Sequence, residues 1–520
     1  MNKKIWAAAA VGALVLFPAC TDLTEVPQSA ITPENFYRNE DEVIGGLASV
    51  YAQLRATNDE YYNVSEISTD EMIVPTRGQD WYDNGKWLDI HRQTFAPASP
   101  AGLDNINSAW VELFKGVARA NVVMKGIENV SFASKATVTA ELRVLRAFYY
   151  FLLADLFGGV PIVTEPEIAA RPQNTRTEVF AFIESELKAA RPDLPAKWAA
   201  DMNGRVTQGA VDAMLASLYL NAQVFTGTVT ATGLQPGTQH WQDALNYANA
   251  VINSGNYSLA TDASMACGTP GCGWRKNFTA DNNLTPEIIF AIKYVDVTDI
   301  GLNFLMRALH YNQYSGSEAP WNGFSTLADT YAAFDPVDRR VQIFLAGAQV
   351  NLVTGQPAKD RQGNPLVFDP NIPDVTAASE GQGIRIAKWP VDPNHVNRNN
   401  GNDYAWFRLG EMYLIRAEAE NELGQTPAAI ADINLLRARV FSPPKPITAV
   451  TQAQVRDAIL NERLYEMTAE GKRRQDLIRM NKFTQGTWYA KTAFDPWKVL
   501  MPIPQTQIET NPQLQQNPGY

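Results

Sequence analysis

Between Lys135 and Phe157 the chain carries Leu142, Leu145, Phe148, Tyr149, Leu152, Leu153 and Leu156, which fall on more than one face of a helix. A helix apolar nearly all round must be enclosed by other elements, so this stretch predicts a large helical interior. Gly158-Gly159 stops it and Pro161 prevents a restart. With 520 residues, 45% of them hydrophobic, there is ample material for such a core. Further helical periodicity begins at about Asp41, with Val43, Ile44, Leu47, Val50, Tyr51 and Leu54, and recurs over Asn107–Ile127.

Helix pairs can be read as well. Trp406-Phe-Arg-Leu409-Gly410-Glu-Met-Tyr413 fits the tetratricopeptide pattern W-x2-L-G-x2-Y at every fixed position. Its partner helix is expected to begin at Thr426-Pro427, a cap residue followed by proline at the first helical position. Ile430, Ile433 and Leu436 supply its buried stripe. A weaker copy joins Ala210–Val224 to Trp241–Ile252. No helix pair can bury its apolar face alone, and stacking the pairs builds one continuous core. The expected fold is therefore mainly α: an α-superhelix of tetratricopeptide-like helix pairs over about 37–256 and 403–520. The region from about 257 to 402 is rich in Gly, Pro, Asn and Asp, with short strand-like runs at Ile288–Val295 and Ile384–Trp389. It reads as a loop-rich, small-strand region mounted on the scaffold, where binding usually resides. Residues 37–520 are read as one domain.

The first residues read as an address. Lys3 and Lys4 precede an apolar run from Ile5 to Phe17, too short for a span of about 20 residues and suited to a signal peptide over 1–19. The run ends in Phe17-Pro18-Ala19-Cys20, which resembles a bacterial lipobox with Cys20 as the lipidated residue. The competing reading is an ordinary secretory signal with an incidental cysteine. Residues 20–36 are polar and contain Pro27 and Pro33, so they are read as a tether. On this reading only the acyl chains contact the membrane. The two remaining cysteines, Cys267 and Cys272, flank Gly-Thr-Pro-Gly. A small-loop disulfide is expected in an oxidising compartment. A metal site would need further ligands from only four scattered histidines, and none is assigned.

A net charge of −11 argues against nucleic acid, which requires a basic stripe. Hydrolase, zinc-protease and phosphate-loop motifs are missing, and the dinucleotide-like start Gly381-Gln-Gly383 has Ile386 where the third glycine belongs. No enzyme and no cofactor are therefore expected, although Asp281–Asn283 permits a structural calcium ion without demanding one. The positive signal lies in aromatic residues set among polar loop residues. Arg77-Gly-Gln-Asp-Trp81-Tyr-Asp-Asn-Gly-Lys-Trp87 places three aromatics among turn formers and amides, and Trp274, Tyr311, Tyr314 and Trp321-Asn322-Gly323 repeat the style. Flat indoles stack on the apolar faces of sugars, while Asn, Asp and Arg bond the hydroxyls. The competing role for each tryptophan is to pin a long loop.

Four segments together resemble the SusD/RagB family of Bacteroidetes outer-membrane lipoproteins. They are Cys20-Thr-Asp-Leu with its Pro27 tether, and Glu141-Leu-Arg143 through Asp155-Leu-Phe157-Gly-Gly-Val-Pro161. The third runs from Asn461-Glu462-Arg463 through Gly471-Lys-Arg473-Arg-Gln-Asp476, and the fourth is the tail from Met501-Pro-Ile-Pro504 to Gly519-Tyr520. The resemblance implies the same helical fold and a cell-surface, lipid-anchored location. It also implies a SusC-like TonB-dependent outer-membrane barrel as partner, to which bound oligosaccharide would be delivered. A peptide-binding lid on a similar transporter is the alternative. Arg143, Arg146, Asp155, Glu462, Arg463, Glu466, Arg473 and Asp476 are assigned to structural pairing across the core. By loose correspondence with the family's aromatic arc, Asp70, Arg77, Trp81, Trp87, Trp274 and Trp321 are the expected ligand-binding residues.

Overall fold

The computed structural model describes residues 37–520 apart from Ile168. The signal peptide, the tether and the Cys20 lipidation site lie outside the described residues. Among the described residues helices make up 46%, with few short strands. No described helix is long and apolar enough to cross a membrane.

The first four long helices pack in sequence: α1 (Glu40–Ile67) on α2 (Asn107–Gly126), α2 on α3 (Lys135–Phe157), and α3 on α4 (Arg176–Ala190). α1 starts where the Asn39 side chain accepts the Glu42 amide at 3.0 Å, and its first turn holds Glu40, Asp41 and Glu42, which favour the positive end of the helix dipole. In α3 every residue from Val144 to Phe157 is buried, as an all-round apolar helix requires. Gly158 then takes φ 75°, which ends the helix. α5 (Gln208–Leu220) packs on α6 (Trp241–Ile252), α6 on α7 (Leu409–Glu422), and α7 on α8 (Thr426–Ala438) and α9 (Gln452–Met467), which leads to α10 (Arg473–Arg479). The chain therefore leaves the stack after α6 and returns to α6 with α7. One apolar core cluster runs from Tyr37 to Leu514.

Two details of the helix-pair reading need correction. Trp406 is not in a helix: it lies in strand β2 (Tyr404–Arg408), antiparallel to β1 (Ile288–Ile292), and α7 begins only at Leu409. The indole is fully buried against Phe148 and Tyr61, so it fills the core from a strand. Thr426 is the first helical residue of α8 and Gln425 precedes it. The Thr426 hydroxyl bonds Asn421 Oδ1 at 3.0 Å instead of capping, and Pro427 stands in the first turn.

The charged residues of the family-like motifs pair inside the scaffold. Arg146 meets Glu186 at 2.5 Å, Arg463 meets Asp476 at 2.7 Å, and Asp155 meets Arg474 at 3.0 Å. The densest cluster centres on Glu466, which receives Arg340 at 3.0 Å, Arg408 at 2.5 Å, Arg439, and the Trp274 indole N–H at 3.0 Å. Burial alone would raise the Glu466 carboxyl, but the guanidiniums of Arg439, Arg408 and Arg340 outweigh it and hold it far below the usual range. Lys388 joins through Glu470 at 2.5 Å.

Candidate ligand-binding site

After α1 the chain folds back on itself. Arg77 and Asp80 exchange backbone hydrogen bonds at 2.9 and 3.1 Å around Gly78. Trp81, Asp83 and Asn84 then take left-handed backbone at φ 63°, 38° and 57°. That region is costly for non-glycine residues and persists only where surrounding contacts impose it. For Trp81 those contacts are clear. Its indole N–H donates to the Trp321 carbonyl at 2.6 Å. Its ring lies edge-on to Trp87 and Phe324, with centroids 5.4 Å away in both cases. Gly323 is required beneath it, since a Cβ there would stand 2.2 Å from the indole. Tyr82 next to it is 58% exposed, and Trp81 and Trp321 are half-buried. The outcome is a short aromatic shelf, with Trp81 and Tyr82 on the turn and Trp321 joined to Trp81 through its backbone carbonyl while its side chain packs on Leu305, Met306, Leu309 and Tyr314.

A polar cluster borders the shelf. The Tyr311 hydroxyl donates to Asp80 Oδ2 at 2.5 Å. The Arg361 guanidinium lies over the Tyr311 ring at 4.3 Å, approaches Asp80 at 3.6 Å and pairs with Glu380. His310 Nε2–H donates to Glu380 Oε2 at 2.9 Å, while its Nδ1 accepts the Asn312 amide at 3.2 Å. His310 is therefore held as the neutral ring, and burial, outweighing Glu380, lowers its pKa. Glu380 would rise by burial, but its bonds from His310 and Arg361 keep it low. Burial and the bond to Asp80 push Tyr311 up to about 12. His310, Glu380 and Tyr311 are thus each biased to one protonation state, which suits a rigid recognition surface.

Two buried arginines hold the loops from beneath. Arg77 donates to the Asn322, Ser379 and Gln382 carbonyls and to Ser325 Oγ, at 2.5–3.0 Å. Arg385 shares Ser325 Oγ at 2.7 Å and reaches Asn322 Oδ1 and the Glu380 carbonyl. Neither has a carboxylate partner among the described residues. Burial pushes Arg77 down to about 10 and lowers Arg385 further.

Of the residues expected to contact ligand, Trp81 and Trp321 are joined by one hydrogen bond to the Trp321 backbone, and both stay half-exposed. Four others need correction. Trp274 is 1% exposed and belongs to the Glu466 cluster. Trp87 is buried with its N–H on Asp83 at 2.6 Å. Arg77 spends its donors on the loops. Asp70 forms a two-pronged pair with Arg473 at 2.7 and 2.8 Å. Trp274, Trp87 and Arg77 are internal braces to which the competing role of pinning loops applies, and the half-buried Asp70 is taken up by Arg473. Sequence reasoning overlooked Arg361, Glu380 and His310, whose spacing from residues 77–87 is set only by the fold. Tyr82 was within the quoted segment, and its exposure follows from the left-handed turn. Cys267 and Cys272 form a disulfide with Cα atoms 5.7 Å apart. No cluster of His, Cys, Asp and Glu suited to a metal exists among the described residues.

Comparison with known proteins fits this architecture. The model of the SusD family matches residues 286–520, and that of a family described as starch-binding and associating with the outer membrane matches residues 32–220. The chain belongs to the SusD/RagB family. It is 26% identical to the starch-binding protein SusD of Bacteroides thetaiotaomicron, over 88% of this chain and 85% of that protein. Among solved structures, a SusD-like protein from Bacteroides fragilis superposes with a TM-score of 0.75 at 20% identity, covering 94% of this chain and all of that one. A laminarin-binding SusD-like protein gives 0.68 at 22% identity, with 93% of this chain and all of that one covered.

Proposed function

We propose that this protein captures oligosaccharide at the cell surface as a lipid-anchored SusD-family member and passes it to a SusC-like TonB-dependent barrel, without chemistry of its own. The observation that carries the reading is the shelf of Trp81, Tyr82 and Trp321 beside Asp80, Tyr311, Arg361 and Glu380. Aromatic faces and pre-oriented hydrogen-bonding groups are what a pyranose chain needs. The names of the relatives that bind starch and laminarin support the ligand class. Binding is favoured over hydrolysis because a glycosidase needs one carboxyl with a raised pKa as its acid, whereas Glu380 is kept ionised by His310 and Arg361.

Calorimetric titration of the protein with an array of plant, microbial and host glycans tests this. One class should bind with Kd between about 1 µM and 1 mM, and Trp81→Ala with Trp321→Ala should remove that binding. Silence across the array, with uptake of peptides instead, would transfer the role to a peptide-binding lid. Release of shortened product would make it an enzyme.

A further inference from the structure

A second cleft lies between the segment 196–207, which links α4 to α5, and strand β1. Its volume is about 340 Å³, within the range of about 300–1,000 Å³ typical of small-ligand sites. It shares no lining residue with the aromatic shelf. Trp198 borders it in a fixed pose: the indole N–H donates to the Val206 carbonyl at 2.8 Å, and the Arg205 guanidinium covers the ring at 4.0 Å. Arg205 is itself held by the buried carboxylate of Glu141.

Polar groups converge on the same space. The side-chain amides of Asn256 and Asn283 bond to nothing among the described residues. The Asn203 amide bonds only to the Asn283 carbonyl, at 2.7 Å. The Lys197 ammonium, also on the rim, has no carboxylate partner among the described residues. The opposite wall is unusual. Ile288, Ile289, Phe290 and Ala291 all border the cleft. Register shifts within this run break the strict alternation of faces, so consecutive residues can border one cavity. Among the described residues β1 pairs with no strand other than β2, and its other edge carries no strand.

From this combination we infer that the cleft is a second saccharide site, which would take a short stretch of the captured glycan with Trp198 as platform and the β1 edge and asparagine amides as hydroxyl partners. The inference rests on the glycan-capture reading and adds a separate point of attachment to it. A free strand edge could instead accept an extended peptide. Register shifts between Ile288 and Phe290 and between Phe290 and Ala291 interrupt the regular spacing that an added strand needs, and this favours the sugar. Two sites on one chain would raise avidity for a long polymer well beyond either alone.

The test is calorimetric stoichiometry on the full chain, using a panel of oligosaccharides that includes those cut from laminarin and from starch. Two equivalents should bind the unmodified protein. Trp198→Ala should weaken one of them about tenfold or more, and so should Asn256→Ala with Asn283→Ala, a pair of exposed changes that breaks no side-chain bond within the chain. Trp81→Ala with Trp321→Ala should remove the other equivalent and leave this one. A single equivalent untouched by the Trp198 and asparagine changes overturns the second site and leaves glycan capture standing. Failure of the unmodified chain to bind any panel member overturns both. An extended peptide that protects residues 288–291 from hydrogen exchange, with no saccharide displacing it, also overturns the proposal.

Discussion

Two parts of the molecule bury arginines by opposite means. Against the α9 carboxylates Glu462 and Glu466, Arg340 and Arg408 are enclosed together with Glu470, Glu287 and Asp338. Beneath the aromatic shelf, Arg77 and Arg385 are enclosed with backbone carbonyls, a serine hydroxyl and an asparagine amide. The difference follows from the backbone. A helix spends most of its carbonyls on its own ladder, so a cation packed among helices is met by carboxylates or, as with Arg176 on the Ala154 and Val224 carbonyls, by carbonyls at helix ends. Loops have carbonyls to spare that would otherwise be buried unbonded. An arginine there supplies the hydrogen bonds that secondary structure would have supplied, and the loops gain a fixed shape in return. The pKa directions record this: carboxylate neighbours overcome burial and raise Arg340, whereas burial pushes Arg77 down to about 10.

Breaking the scaffold cluster should have the largest effect. Glu466→Ala leaves Arg340, Arg408 and Arg439 crowded without their shared anion, and should cost about 3–5 kcal/mol of global stability. Urea denaturation measures it, and a loss below about 1 kcal/mol would mean that the cluster is not a charge-balanced unit. Arg77→Met comes next. It leaves several buried acceptors unbonded at about 1–3 kcal/mol each before relaxation. The loss of hydrogen-exchange protection should be confined to residues 76–82, 322–325 and 379–385. If α3 and α7 lose protection to the same degree, the two regions are not separately held.

A third test sits at the junction. Glu66, at the end of α1, and Glu71 are buried together and accept the Gly471 and Ala469 amides. Burial first, then mutual repulsion for Glu71, raises both, Glu66 to about 7. The native state therefore holds protons that the unfolded chain releases above about 4.5. The stability they contribute is full below that pH and is lost as the pH climbs through their raised values, about 7 for Glu66. Glu66→Gln should flatten the fall in urea midpoint between about pH 5 and pH 8. An unchanged slope would show that the pair does not titrate in this window. The smallest effect belongs to Tyr82→Ala, which should leave stability within about 0.5 kcal/mol and weaken glycan binding by about 0.5–1.5 kcal/mol. Glycan titration of the variant that shows unaltered affinity would place the ligand away from the shelf.

The scaffold was legible because its signals are local. The period of apolar residues placed α3 at the observed ends, and Trp241–Ile252 was read without error. The Trp406 motif misled in part, since a buried aromatic followed by Leu-Gly is compatible with a strand that runs straight into a helix. The aromatic shelf was half legible. Trp81 and Trp321 were found by composition, but the same composition also pointed to Trp87 and Trp274, and only packing separates a tryptophan on the surface from one beneath it. Arg361 and Glu380 carry no pattern at all. They reach Asp80 and His310 because loops 19 to 70 residues apart and more are clamped together by Arg77 and Arg385.

The pairing of Asp155 with Arg474, 319 positions later, has a consequence in time. At synthesis rates of about 5–20 residues per second, roughly 15–60 s separate the appearance of the two partners. Glu66 and Asp70 wait longer still, for Gly471 and Arg473. Throughout that interval Asp155 has the Tyr61 hydroxyl but not its cation. Any factor that keeps the growing chain open until its last fifty residues arrive works with the order in which this fold is wired.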